Sequence, residues 1–162
     1  MDIAAEIREN LGDEWIPGIY RAIRAGRTRS YRMDIPEKEN RAEILHTLLG
    51  IELKVGRLRL SCPDLSTARF LRVFARIGCR DVAIPYDITE IPVLADKLES
   101  AWHRALLYFE KAAAGKSPQV KGRLRSAFVR GMRAEIEKEG AGEMMPVFNT
   151  PTRQREGKKL SS

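Results

Sequence analysis

The chain has 162 residues, 43% hydrophobic and 31% charged, with a net charge of +7, a balance that suits one globular, soluble domain and excludes a fibrous or wholly disordered protein. No apolar run reaches the roughly 18 residues that a membrane span requires, and the opening MDIAAEIREN is acidic and amphipathic, unlike a signal or transit peptide. Two cysteines, Cys62 and Cys79, are too few for a disulfide scaffold and read as reduced thiols of a cytoplasmic protein.

In chain order, residues 2–11 form an amphipathic helix on Ile3, Ile7 and Leu11, stopped at Gly12. Asp13 opens a second helix with Trp15, Ile16, Ile19, Tyr20 and Ile23 inward, Pro17 in its first turn and Gly26 at its end. RSYRMDI reads as a short strand, with Tyr31, Met33 and Ile35 on one side. Asp34 with Glu37 resembles a capping box, which predicts a helix through Leu45, Leu48 and Leu49 to Gly50. IELKVGRLRLSC alternates, but its apolar phase slips at Gly56, and this predicts a hairpin.

Pro63 closes that strand, and Asp64 or Ser66 caps a helix carrying Phe70, Val73, Phe74 and Ile77 to Gly78. DVAIPYDI is the next strand, expected to run parallel to residues 57–62 through a right-handed crossover. A long amphipathic helix follows, capped at Thr89, with Ile91, Leu94, Leu98, Trp102, Ala105, Leu106 and Phe109 on one stripe and Gly115 at its end. After a KSPQ linker, a last helix places Leu124, Phe128, Met132 and Ile136 on one face; Arg125 falls inside that arc and needs a partner. The expectation is an α/β or mixed α+β domain: a small sheet with a βαβ unit, covered by helices. Residues 1–114 form the compact part and 115–162 a basic helical arm and tail.

Charge is unevenly distributed. Residues 115–162 hold 11 Lys and Arg against 5 Asp and Glu, whereas the first 114 residues are nearly neutral. Arg69, Arg72 and Arg76 fall in one narrow arc of their helix, and Arg123, Arg130 and Arg133 line the face of the last helix away from Phe128 and Met132. With Arg153, Arg155, Lys158 and Lys159 in the tail, these residues fit the footprint of a phosphate-backbone binder. Aromatics are committed to core faces, so contacts to phosphates rather than bases are expected.

Catalytic signals are weak. The chain has no phosphate-binding glycine loop and no nucleophile elbow, and its two histidines, His46 and His103, are single residues in predicted helices. Glu52-x-Lys54 on a predicted strand, with Asp34 eighteen residues upstream, is similar to the metal-binding pattern of restriction-endonuclease-like nucleases. A strand puts Glu52 and Lys54 on the same face, as that chemistry requires. The leading expectation is a non-catalytic protein without cofactor or metal, binding DNA or RNA. One alternative is an assembly or regulatory subunit, with a homo-oligomer among the options, whose basic arm docks on an acidic protein surface. Another is the metal-dependent nuclease. No membrane partner is expected.

Overall fold

A computed structural model describes residues 2–142. The element order is α1 (Ile3–Leu11), α2 (Ile16–Ala25), β1 (Thr28–Arg32), β2 (Ala42–Thr47), β3 (Gly50–Val55), β4 (Leu58–Cys62), α3 (Leu65–Ile77), β5 (Asp81–Pro85), α4 (Ile91–Ala112) and α5 (Pro118–Glu139), a mixed α+β fold. Short 3-10 turns precede α2 and α4.

Two antiparallel sheets divide the strands. β2, β3 and β4 form a meander, in which Ile44, Leu53 and Leu60 stand in register and Ala42, Val55 and Leu58 form the adjacent row. These rows share one face, and α3 lies against the sheet. Glu43, Lys54 and Arg59 form a row on the opposite face. The hairpin at Gly56 is present, with the left-handed conformation (φ 62°) that glycine adopts without strain.

The helix expected through Leu45, Leu48 and Leu49 is instead β2 and its turn. Leu45, Leu48 and Leu49 mimic a helical period, but Ala42, Ile44 and His46 alternate with Glu43, Leu45 and Thr47 and pair with β3 along their whole length. The turn pushes Leu48 and Leu49 fully into solvent, at 105% and 92% exposure. Asp34 therefore caps no helix; it pairs with Arg32 at 3.0 Å. His46 accordingly sits on a strand.

β5 also departs from expectation. It pairs antiparallel with β1, Ser30 opposite Ala83, rather than parallel with β4, so no βαβ unit forms. β4 offers a half-exposed edge, with Leu58, Arg59 and Ser61 exposed. β5 buries Val82, Ala83, Ile84 and Pro85 in succession and needs the more enclosed place beside β1, where it packs against α2. Tyr20 secures that place. Its hydroxyl accepts from the Ala83 N–H (2.9 Å) and donates to the Gly140 carbonyl (2.5 Å), and burial pushes its pKa up to about 12.

Helix ends follow local chemistry. Asp64 accepts from the Thr67 amide at 2.7 Å and caps α3, which ends at Gly78 (φ 93°). A side chain at Gly78 would clash with the Lys38 backbone. Before α4, the capping acceptor is Asp87 rather than Thr89: it takes the Thr89 amide (3.0 Å) and hydroxyl (2.6 Å) and closes the 3-10 turn. Ser117 caps α5, so the helix begins at Pro118, inside the expected linker.

α5 sinks Phe128, Val129, Met132 and Ile136 into the same core as Trp15 and Phe109. Phe128 stacks on Phe109 at 5.7 Å and tilts against Trp15 at 6.0 Å. Arg125 finds the partner its position demands, because Glu39 takes Nε and Nη2 in a fork at 2.8 and 2.6 Å. The acidic N-terminal block is partly used inside the chain, where Glu14 meets Arg104 at 2.9 Å.

Candidate nucleic-acid interface

Arg69 and Arg72 of α3 point at α4. Arg69 donates to both Asp96 and Glu99, and Arg72 reaches Glu99 at 2.7 Å. Asp96 and Glu99 are three apart on α4, so one helical ridge presents both acids to the cationic ridge of α3. Burial pushes the Glu99 carboxyl up, but the Arg69 and Arg72 hydrogen bonds outweigh it and hold the group below its ordinary range. Both arginines are about one-quarter exposed, and their donors are directed at α4. Arg76 lies one turn further on and has no carboxylate within 4 Å among the described residues; Nη2 makes a long contact to the Ala42 carbonyl (3.4 Å).

On α5 the picture differs. Arg123 and Arg130 are exposed and seven residues apart, about 10 Å along the axis. Neither has a carboxylate within 4 Å among the described residues. With Pro118, Gln119, Gly122 and Ser126 they line a shallow groove of about 850 Å³. From Lys111 to Ala134 the chain carries seven Lys and Arg and no Asp or Glu. Arg133 is drawn out of this set: its Nε donates to the Ile77 carbonyl at 3.1 Å, at the C-terminal end of α3, where a cation is favoured. Arg153, Arg155, Lys158 and Lys159 lie outside the described residues. The structure thus places Arg123 and Arg130 together, and it separates them from Arg69 and Arg72, which face α4.

The residues of the nuclease pattern are dispersed in use. Glu52 and Lys54 share a face as strand geometry requires, but Glu52 is engaged by Arg59 (3.3 Å) and Asp34 by Arg32. Among the described residues no group of three His, Cys, Asp or Glu side chains is placed to hold a metal ion. Both thiols are buried, and burial pushes Cys62 up to about 11 and Cys79 up to about 12, which leaves little nucleophilic thiolate at neutral pH. Glu137 is likewise raised by burial and by a hydrogen bond shared with Glu37. No described helix is long and apolar enough to cross a membrane.

Two features escaped the sequence pattern. One is the exposed Leu48–Leu49 pair, hidden by its apparent helical period. The other is the cleft around Arg76, which four separate segments assemble and which no spacing signals. No family model, curated protein or solved structure matches the chain.

Proposed function

We propose that this protein binds nucleic acid without catalysing a reaction on it, contacting the phosphate backbone through the exposed face of α5. The observation that supports this reading is the pair Arg123 and Arg130, exposed on a stretch without acids and free of carboxylate partners among the described residues. A guanidinium without an internal partner keeps its donor fork for a phosphate. Gly122 and Ser126 beside them are small, so a sugar-phosphate backbone can approach the helix closely. Lys116 and Lys121 extend the positive field toward the start of the helix. Trp15, Phe109 and Phe128 around α5 are buried and offer no stacking platform there, so the contacts of this face are to phosphates rather than bases.

The test is binding to a mixed-sequence duplex and to a single strand, followed by anisotropy at low salt and then across a salt series. With about four phosphate contacts, affinity falls roughly a hundredfold between about 50 and 200 mM salt. Absence of binding at low salt overturns the proposal. Truncation belongs after Gly142 rather than after Gly115, because the buried face of α5 completes the core.

A second reading, as a subunit of an assembly, is favoured by Leu48 and Leu49. Two fully exposed leucines at a hairpin tip suit the apolar pocket of a partner. Leu48→Asp with Leu49→Asp would then dissolve a complex that light scattering detects in the native protein. A native protein that is monomeric and unchanged by these substitutions removes self-assembly through the tip.

A further inference from the structure

A cleft of about 490 Å³ opens between four segments: the stretch leading into β2, the last turn of α3, the middle of α4, and α5. Trp102 and Leu106 supply apolar wall, Arg76 reaches in from α3, and Arg41 and His103 stand at the exposed rim. The stretch before β2 is held in place by Asn40. Its side-chain amide donates to the Pro36 and Ala75 carbonyls (2.9 and 3.1 Å), and its backbone N–H donates to the Arg76 carbonyl (3.0 Å). The cleft is therefore formed in advance, which lowers the ordering cost of a ligand.

Two of the three acids lining this cleft, Glu99 and Glu39, are already committed. Glu99 gives its two oxygens to Arg69 and Arg72, and Glu39 gives both of its oxygens to Arg125. Glu43, the third, is exposed at the edge of the cleft on the solvent face of the sheet, in register with Lys54 and in no ion pair among the described residues. Arg76 is left with the 3.4 Å contact to the Ala42 carbonyl, at the limit of a useful hydrogen bond. Burial, and then repulsion from Arg72, lower its pKa, yet an arginine stays charged in a protein. A half-buried guanidinium with most of its donors unspent, beside an apolar wall, has no carboxylate in ion-pair contact among the described residues.

We infer that this cleft is a binding site for a small phosphate-class dianion, with Arg76 as its principal ligand and Arg41 as the second cation. A dianion matches two arginines where a single carboxylate would leave one unmatched, and the guanidinium fork suits two oxygens of a tetrahedral group. The low-dielectric wall of Trp102 and Leu106 strengthens the contact relative to one on the open surface. The site is separate from the α5 face, because Arg123 and Arg130 line a different groove. It stands or falls independently of the nucleic-acid reading.

The experiment is a titration of the full chain with inorganic phosphate, against sodium chloride at matched ionic strength, observed at the arginine Nε–Hε resonances. The Arg76 signal is identified by its loss in Arg76→Gln. Phosphate is expected to shift that signal saturably where chloride does not, and Arg76→Gln is expected to lose about tenfold in phosphate affinity. Arg57→Gln, at an exposed residue of the β3–β4 turn, should bind phosphate as the parent does. Arg76→Lys, which keeps the charge and loses the fork, provides the assignment if the glutamine variant does not fold. An Arg76 signal that moves no more with phosphate than with chloride overturns the inference. A phosphate affinity kept at the parent's value in Arg76→Gln overturns it equally.

Discussion

On α3, Arg69, Arg72 and Arg76 recur at three- and four-residue steps; on α5, Arg123 and Arg130 stand seven apart. By sequence the two sets look alike, each a cationic stripe opposite an apolar face. In the fold, α3 lies against α4, whose Asp96 and Glu99 meet Arg69 and Arg72, whereas Arg123 and Arg130 of α5 are exposed and meet no carboxylate among the described residues. The spacing of cations along a helix therefore does not reveal what they serve. The charge of the neighbouring helix does, and that neighbour is fixed only by the tertiary packing.

The largest way to break this comparison is to detach α5. Phe128→Ala removes a ring packed between Trp15 and Phe109 and should cost about 3–5 kcal/mol in urea unfolding. A cost below about 1 kcal/mol would mean that α5 is an appended arm rather than part of the core.

Glu99→Gln tests the α3 side. It leaves Arg69 and Arg72 partly buried without their shared anion, and should cost about 1–2 kcal/mol after allowance for solvent screening. Its pH dependence has a definite sign. Because the Glu99 carboxyl is held below its ordinary value of 4.5, its stabilisation is complete above that value and is lost as pH falls through the folded-state value. Native protein should therefore lose stability toward acid more steeply than Glu99→Gln. Parallel acid limbs in the two proteins would show that the pair does no stabilising.

The smallest expected effect sharpens the contrast. Arg123→Gln sits on an open face and should change unfolding free energy by no more than about 0.5 kcal/mol. A larger loss in urea titration would reveal an internal role for that arginine.

Much of the helical frame was legible in the sequence. The stripes of α2, α3 and α4, the cap at Asp64 and the stop at Gly78 are local properties, written in side chains a few residues apart. The burial demand on Arg125 was legible too, though its partner Glu39 lies 86 residues away and could not be named. What failed was tertiary. Leu45, Leu48 and Leu49 satisfy a helical period while pairing with β3 decides for a strand, and β5 chose β1 over β4 through burial on both faces. Of the candidate interface, Arg123 and Arg130 were readable as exposed because Phe128 and Met132 define the opposite face. The engagement of Arg69 and Arg72 was not, because α3 and α4 are separated by a strand and a turn.

The most direct test of the central claim is the salt dependence of nucleic-acid affinity when only the open face is changed. Anisotropy with a mixed-sequence duplex, across about 50 to 200 mM salt, compares the native protein with Arg123→Gln plus Arg130→Gln. If both arginines neutralise phosphates, the slope of log affinity against log salt becomes shallower by about 1.8, at roughly 0.9 per lost contact. An unchanged slope in a variant that remains folded would contradict the assignment of this face to the phosphate backbone.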